Sequence, residues 1–314
     1  MKLATGSVLY KRNTSIWRFR KNIPLILLAL PAVIYLFVFN YIPLYGLVLP
    51  FKNYQYSLGF FGSEWVGLEN FKILFNNEQV LTATRNTLLY NFTFIIVGTS
   101  VAIVIALMLY EMSSKFVKAY QTMLLLPHFI SWVIVAYVAL VFLDMDAGLF
   151  NRVRMLFGAE PILWYNSPNY WPPLIVIFNV WKSMGFSAVI YYASLMGADK
   201  ELFEAAKIDG AGKLKQMWHI AIPSIKPLII TLTILNIGKI FYGDFGLFYN
   251  LPQNSPLLYS ATDVIDTYVY RTLTVLGDIG ISSAVGFYQS VLGFILVMLT
   301  NWAVNRIDSD NALF

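Results

Sequence analysis

Six long apolar runs divide the chain, at roughly 23–51, 86–110, 120–143, 171–193, 224–249 and 283–305. Each run is close to the ~20 residues that an α-helix needs to cross about 30 Å of hydrocarbon. The pattern therefore predicts an all-α membrane protein with about six transmembrane helices. We expect residues 23–305 to form one membrane domain, between a tail at 1–22 and a tail at 306–314.

One long polar segment, at about 194–222, separates the fourth run from the fifth and carries the local signals of a helix. Asp199 stands where an N-cap belongs, and residues 200–208 are mostly good helix formers. Gly210 can adopt the left-handed conformation that ends a helix. The segment predicts a short helix between two spans.

This short helix has two different faces. Leu202, Phe203 and Ala206 fall on one side at helical spacing, and Glu201 and Glu204 fall on another. We therefore expect one side to pack against apolar groups and the other to remain polar.

Composition supports a membrane protein and excludes several other classes. Hydrophobic residues make up 58% of the chain and charged residues 12%, with a mean hydropathy of +0.63. The chain has no cysteine, and its two histidines, His128 and His219, cannot assemble a zinc cluster from the usual ligands. The net charge of +5 forms no basic stripe, so membrane lipid and not nucleic acid is the expected environment.

The basic residues indicate the orientation of the spans. If the N-terminus lies in the cytoplasm, the inside segments hold fourteen lysines and arginines and the outside loops hold six. This distribution follows the positive-inside rule. It predicts a multi-pass protein of the bacterial cytoplasmic membrane with both termini inside and the loops 144–170 and 250–282 outside.

The chain lacks the motifs of common hydrolases. A phosphate-binding loop reads G-x-x-x-x-G-K-[ST], and neither Gly212-Lys213 nor Gly238-Lys239 has the earlier glycine or the following hydroxyl. G-x-S-x-G and H-E-x-x-H sequences are also absent. We predict that the chain is not an enzyme, has no catalytic residues, and carries no cofactor or metal.

The polar segment also contains a longer pattern, Glu-Ala-Ala-x-x-x-Gly, then nine residues, then Ile-x-x-Pro. This pattern resembles the EAA motif of permease subunits of ATP-binding-cassette importers. Other segments resemble polysaccharide-type carbohydrate permeases, and in particular the larger permease of maltose-type importers. These segments are residues 41–46, 65–71, 126–132 and 264–271.

The resemblance implies the type I importer permease fold, in which the short helix is a cytoplasmic coupling helix seated in a cleft of a separate ATPase. Glu204 and Asp209 would then make polar contacts around the joint, and Gly210 would end the helix. The residues assigned to this coupling surface are Glu204, Ala205, Ala206, Asp209, Gly210, Ile220 and Pro223. The local sequence alone leaves open an ordinary amphipathic surface helix.

The resemblance also implies a set of partners. These are a second, similar permease, two ATP-binding subunits that hold ATP and magnesium, and an extracytoplasmic binding protein that delivers an oligosaccharide. Two alternatives stay open at this point. One is a stand-alone secondary transporter or channel, and the other is an importer permease for peptides or amino acids.

Three charged side chains lie inside apolar runs, where an ionised group facing lipid costs ~2.5–3.5 kcal/mol on insertion scales. The candidates for a translocation path are Lys182, Lys239, Tyr242 and Asp244. Lys239 and Asp244 point roughly 140° apart on a regular helix, so they can pair only if that helix breaks. Gly238, Gly243 and Gly246 allow such a break, and a discontinuous helix that lines a path is a common feature of transporters. Packing against neighbouring spans is the alternative role for these charges. The apolar runs hold two lysines and one aspartate, so one positive charge lacks an evident partner within this chain. We therefore also put forward the hypothesis that the imported sugar is acidic.

Overall fold

The structure is a computed structural model that describes residues 14–112 and 114–307. These residues form two units, one up to Leu49 and one from Pro50 onward. In the first unit, α1 (Thr14–Leu36) continues as a π-helix at Phe37–Tyr41 and then as a 3₁₀-helix that begins at Ile42. Pro43 has no N–H to donate, which accounts for the loss of α-helical hydrogen bonding around it.

The second unit is helical apart from a short hairpin, in which β1 (Lys52–Asn53) pairs with β2 (Glu64–Trp65). Its helices up to the middle of the chain are α2 (Gly59–Gly62), α3 (Glu69–Asn76), α4 (Glu78–Thr93), α5 (Thr99–Glu111), α6 (Ser114–Phe129), α7 (Trp132–Leu143) and α8 (Leu149–Leu156). The later helices are α9 (Trp171–Met196), α10 (Lys200–Ile208), α11 (Lys213–Gln216), α12 (Ile222–Ile237), α13 (Phe245–Asn250), α14 (Tyr259–Thr262), α15 (Ile265–Thr274) and α16 (Ile279–Ile307).

Five stretches of the described residues are long and apolar enough to cross a membrane as single helices. They are Asn22–Phe51, Glu78–Glu111, Pro168–Met196, Lys213–Ile237 and Ile279–Arg306. A bent pair, Lys115–Phe129 and Trp132–Leu143, makes a sixth candidate span. The prediction of an all-α chain with about six spans is therefore confirmed.

Two of the predicted spans are wrong in detail. The run 120–143 is not one helix, because α6 and α7 meet at an angle of 96°. Pro127 interrupts hydrogen bonding near the end of α6, and the Ser131 side chain accepts from the N–H of Ile134 at 3.4 Å to start α7. The run 224–249 is also not one span, because its helix begins earlier and stops at Ile237.

Small residues allow the spans to pack closely. The cluster that joins α5, α9 and α12 contains fully buried alanines at Ala102, Ala106 and Ala188. Gly185 permits an even closer approach of α9 to α6, since a Cβ at this position would lie 1.8 Å from the carbonyl oxygen of Leu124. Close packing at small residues is the usual way in which membrane helices associate.

Candidate functional site

The helix predicted from the polar segment is present as α10, with the expected bounds. The Asp199 carboxylate accepts a hydrogen bond from the backbone N–H of Glu201 at 2.9 Å, as an N-cap does. At the other end Gly210 has a φ of +77°, and the N–H of Ala211 donates to the carbonyl of Ala206 at 2.8 Å. The local sequence thus determines where this helix begins and ends.

Phe203 attaches α10 to the membrane domain. Its ring centre lies 5.5 Å from that of Tyr110 at the end of α5, and its side chain packs against the cluster that contains Ala221. Leu202 was expected on the same apolar side, but it is 55% exposed. Successive helical residues point about 100° apart, and within this chain only the narrow side around Phe203 and Ala206 is covered, which leaves Leu202 accessible to a partner.

Large apolar side chains remain exposed on α10 and on the turns that follow it. They are Leu202, Ile208 (87% exposed), Leu214 (73%) and Trp218 (68%). The same segment exposes the carboxylates of Glu201, Glu204 and Asp209. An exposed apolar surface of this kind with polar groups around it is typical of a protein–protein interface.

The residues assigned to the coupling surface fall into two groups. Glu204, Ala205, Asp209, Gly210 and Pro223 are exposed, whereas Ala206 and Ile220 are half-buried. Most of the assigned side chains are therefore accessible to a partner.

The segment after α10 is also tied to the membrane domain. Lys213 forms an ion pair with Glu111 at the end of α5. Pro223 cannot donate to the carbonyl of His219, and the backbone passes through a π-helical turn at Met217–Ala221 before α12 begins. The α10 region therefore contacts the end of α5 at two points, one aromatic and one ionic.

The fifth span ends inside the membrane domain. After Ile237 the chain forms a turn at 238–244 and then starts α13. The side-chain amide of Asn91, in the span that contains α4, donates to the carbonyls of Ile240 and Tyr242 at 2.9 and 3.0 Å. A broken helix needs such partners wherever lipid or protein, and not water, surrounds its free backbone groups.

Two more side chains complete the support of this turn. The amide of Gln289, in α16, donates to the carbonyl of Phe241 at 2.7 Å. The Asp266 carboxylate, on α15, accepts from the N–H of Gly243 at 2.6 Å. Sequence reasoning missed Asn91, Gln289 and Asp266 in these roles. An amide inside an apolar run was the available signal for Asn91 and Gln289, but it did not identify their partners.

A second break lies between α6 and α7, and Lys182 stabilises it. The Lys182 ammonium donates to the carbonyl of His128 at 2.8 Å and lies 5.2 Å from the ring centre of Trp132. A cation at the carboxyl end of a helix also interacts favourably with the helix dipole. His128 itself packs, with its ring stacked 4.6 Å from that of Phe186.

The two breaks meet at Trp132. Its indole N–H donates to the Asp244 carboxylate at 2.6 Å, and the same carboxylate caps α13 through the N–H of Leu247 at 3.2 Å. Gly246 leaves space for the indole, since a Cβ there would lie 2.5 Å from Trp132 Cδ1. Asp244 therefore links the start of α7 with the start of α13.

Lys239 and Asp244 do not pair, although the helix between them breaks. Within the described ranges no carboxylate lies within 4 Å of the Lys239 ammonium, and both side chains are exposed. Tyr242 is 42% exposed, and its hydroxyl lies 3.2 Å from that of Ser290. Because charged groups in a spanning region are unstable against lipid, this surface must face water or another chain.

Aromatic side chains extend the exposed surface beyond Asp244. Phe245 stacks on Tyr249 with ring centres 4.9 Å apart, and Tyr270 contacts both rings at 4.9 and 5.3 Å. Among the described residues, no group of three His, Cys, Asp or Glu side chains is placed to hold a metal ion. The chemistry available at this surface is hydrogen bonding, charge and aromatic stacking.

Comparison with known proteins gives a consistent result. A family model described as binding-protein-dependent transport system inner membrane component matches residues 88–309. The Bacillus subtilis polygalacturonan/rhamnogalacturonan transport system permease protein YteP is 40% identical to this chain, over 91% of this chain and 89% of YteP. The protein LplB of the same organism is 36% identical, over 91% and 90% of the two chains.

Two solved structures share the fold. One is a bacterial ABC transporter involved in the import of the acidic polysaccharide alginate, which matches with a TM-score of 0.85 and 32% identity over 94% of this chain and 99% of that one. The other is a bacterial alginate ABC transporter in complex with an alginate pentasaccharide-bound periplasmic protein, with a TM-score of 0.83 and 32% identity over 92% and 96%.

Proposed function

Because this chain belongs to the family of inner membrane components of binding-protein-dependent transport systems, we propose that it is one permease subunit of an ATP-driven oligosaccharide importer. Together with a second permease it forms the translocation path, and an extracytoplasmic binding protein delivers the sugar. ATP and magnesium bind to two separate ATPase subunits. The chain itself contributes no catalysis.

The exposed apolar surface of α10 carries this proposal. Its accessible small residues, Ala205 and the half-buried Ala206, allow a partner to approach closely, and Glu204 and Asp209 offer polar contacts beside Ile208. The contacts of Phe203 with Tyr110 and of Lys213 with Glu111 connect this surface to α5. Movement of a docked ATPase is thereby passed to a spanning helix.

A stand-alone transporter or channel fits these observations less well. It needs no ATPase, so the apolar surface of α10 would have no function. A permease for peptides or amino acids shares the mechanism, but the relatives named above include a polygalacturonan/rhamnogalacturonan permease and an alginate importer. The proposal of a sugar importer is therefore preferred.

We propose that the translocation path includes Lys239, Tyr242 and Asp244, since all three are exposed beside the break in the fifth span. The aromatic rings of Phe245, Tyr249 and Tyr270 are suited to stack on sugar rings there. Lys182, also a candidate from sequence, is occupied by the His128 carbonyl and by Trp132, which favours a structural role for it.

An acidic oligosaccharide is the preferred substrate class. Lys239 has no carboxylate within 4 Å in the described part of the chain, so its charge is available to a substrate. YteP is named for polygalacturonan, a polymer of uronic acid, and the structurally similar importer carries alginate. Titration of the partner binding protein with uronate and with neutral oligosaccharides tests this point directly, and preference for neutral sugars would contradict it.

Coupling is tested by cross-linking. The chain has no cysteine, so a single cysteine in place of Ile208 should form a disulfide with a cysteine scanned along the ATPase surface, and ATP should change its yield. A cysteine in place of Leu156, an exposed residue of α8, is the control and should form none. Equal yields at both positions would argue against the coupling surface.

We place both termini and α10 in the cytoplasm on the charge distribution. A cysteine at Asn166, which is exposed, should react with an impermeant thiol reagent applied to intact cells. Asn254 is a poorer probe site, because its φ is +48° and its side chain accepts from the Tyr259 hydroxyl at 3.0 Å. Reaction of the Asn166 cysteine only after lysis would reverse the orientation.

A further inference from the structure

A groove of about 600 Å³ lies between α4 and the start of α9, away from the path residues. Its apolar walls are Leu89, Tyr90, Thr93, Pro172, Val176 and Ile177, and Arg85 lines the same groove. Leu89 and Ile177 are 59% and 61% exposed, so the groove is accessible from the surface of the span.

The groove occupies one half of the membrane. Arg85 lies about nine residues from the midpoint of the span Glu78–Glu111, which corresponds to ~14 Å along the helix and places it near the edge of the ~30 Å hydrocarbon layer. Ile177 lies about five residues from the midpoint of Pro168–Met196, or ~8 Å. The groove therefore begins at headgroup level and continues toward the bilayer centre.

A second cavity, of about 370 Å³, continues from the headgroup end and shares Arg85 and Ser260 with the groove. Its remaining lining is polar: Glu78, Gln79, Thr82, Tyr259 and Asp263. An apolar groove that continues outward into a polar cavity matches an amphiphile whose acyl chain lies in the groove and whose headgroup lies at Arg85.

Charge specifies the headgroup. Asp263 is paired with Arg271, whose guanidinium donates to both of its carboxylate oxygens at 3.0 and 2.5 Å. The charges that remain are the Glu78 anion and the Arg85 cation. Arg85 Nη2 donates to the side-chain oxygen of Asn86 at 3.2 Å and to the carbonyl of Ser260 at 3.4 Å, which leaves the other N–H groups of the guanidinium for a ligand. Seven residues separate Glu78 from Arg85, so they lie on one face of α4 about 10.5 Å apart along its axis.

We propose that this composite site binds a phospholipid with a zwitterionic headgroup that carries a primary ammonium, as in phosphatidylethanolamine. The phosphate accepts hydrogen bonds from Arg85, the ammonium donates to Glu78, and one acyl chain lies between Leu89 and Ile177. This lipid site is additional to the transport function and does not depend on it. Under the proposed orientation it faces the extracytoplasmic leaflet.

The test uses the complete importer in lipid nanodiscs, with a fluorophore on a single cysteine at Phe92, an exposed residue of α4 beside the groove that does not line it, and with any cysteines of the partner subunits replaced. Brominated phosphatidylethanolamine and brominated phosphatidylcholine are compared as quenchers. Phosphatidylcholine has the same phosphate but no ammonium N–H. We expect the fluorophore at Phe92 to report about tenfold tighter binding of the ethanolamine lipid. A fluorophore at Val104, exposed on α5, reports ordinary surrounding lipid and should show no preference.

Substitutions assign the headgroup contacts. Arg85→Gln and Glu78→Gln should each bring the preference at Phe92 close to that at Val104, whereas Arg152→Gln, which alters an exposed arginine on α8, should leave it unchanged. Leu89→Trp fills the groove without touching the headgroup cavity, and it should reduce quenching by both lipids.

Three outcomes would overturn the proposal. Equal quenching by both lipids would show that no headgroup is selected, and the absence of quenching by either would show that a partner chain covers the groove. A preference that survives Arg85→Gln in a stably assembled complex would remove the assigned contact. Brominated phosphatidylglycerol tests whether the site selects an anionic headgroup instead. Stronger quenching by this lipid than by the ethanolamine lipid would exclude a role for Glu78 and would contradict the proposal.

Discussion

The α10 helix and the turn at 238–244 are both helix ends, but they are held in opposite ways. The ends of α10 are made by near neighbours, the Asp199 side chain and the backbone at Gly210. The turn at 238–244 is held by side chains from three other helices, more than twenty residues away in sequence. One element is an exposed helix, and the other is a turn that distant side chains hold in place while Lys239, Tyr242 and Asp244 remain exposed.

This difference separates function from stability. A substitution on α10 removes few contacts within the chain, so it should affect coupling and leave folding intact. A substitution beneath the turn leaves buried or part-buried carbonyls, such as those of Phe241 and Ile240, without partners, which costs folding free energy before it can affect transport. The following predictions test whether the two regions are separable in this way.

The largest effect is expected for Asn91→Leu. The substitution removes the donor to the part-buried carbonyl of Ile240 and to the exposed carbonyl of Tyr242. A buried group left unsatisfied costs about 1–3 kcal/mol, and an exposed carbonyl can bond to water instead. We expect a loss of about 1–3 kcal/mol, measured as lower thermal stability and poorer assembly of the purified complex.

Asn236→Leu is the matched control, because Asn236 is an exposed amide on α12. It should retain near-normal thermal stability. If both variants are equally stable, the turn does not depend on Asn91, and the comparison between the two regions fails.

The next effect is expected on α10, for Glu204→Lys and Gly210→Pro. Proline cannot adopt the φ of +77° at Gly210, and the lysine reverses a charge at the proposed interface. We expect both proteins to remain in the membrane with normal thermal stability. The free energy of ATPase binding should weaken by about 2 kcal/mol, which is roughly thirtyfold in affinity, and uptake into vesicles should fall with it.

Glu160→Lys, which reverses an exposed charge in the 144–170 loop, serves as the control and should transport normally. Full uptake by both α10 variants would rule out the coupling role.

A smaller effect is expected for Asp199→Ala. Removing an N-cap costs about 1 kcal/mol of helix stability, so α10 should be formed less often and uptake should fall several-fold. Asp199→Asn keeps the accepting oxygen and should restore uptake. Hydrogen exchange of the first turn of α10 provides a direct measure of the cap. Equal exchange in the two variants would show that the cap does not hold this helix.

The same comparison explains what the sequence could predict. The bounds of α10 follow from an N-cap, helix formers and a left-handed glycine, all within twelve residues, and they are confirmed. The similarity to the solved importers confirms the type I permease fold that the resemblance implied. The first prediction rests on a local sequence pattern, and the second rests on the resemblance to a family.

The breaks could not be located in the same way. The runs 120–143 and 224–249 are predominantly apolar, even with Lys239 and Asp244 inside the second, so hydropathy merges each broken helix into one span. What makes a break stable is an amide or carboxylate on a distant helix, such as Gln289 for the carbonyl of Phe241. No local pattern identifies that pairing, and the glycines at 238 and 243 indicated only that a break was sterically allowed.

The smallest effect is expected at Lys239, in the turn at 238–244, and it concerns the choice of substrate and not the stability of the protein. The side chain is exposed, and within the described ranges its ammonium pairs with no carboxylate, so Lys239→Gln should leave thermal stability and assembly unchanged. A solvated charge contributes modestly, and we expect uptake of an acidic oligosaccharide to fall roughly threefold. Uptake of a neutral oligosaccharide of similar length through the same vesicles should not change. Lys182→Gln is the matched control on the other side of the breaks: it removes the donor to the carbonyl of His128, so it should lower stability and affect both sugars alike. If Lys239→Gln instead lowers stability, this lysine pairs with the second permease and does not select the substrate.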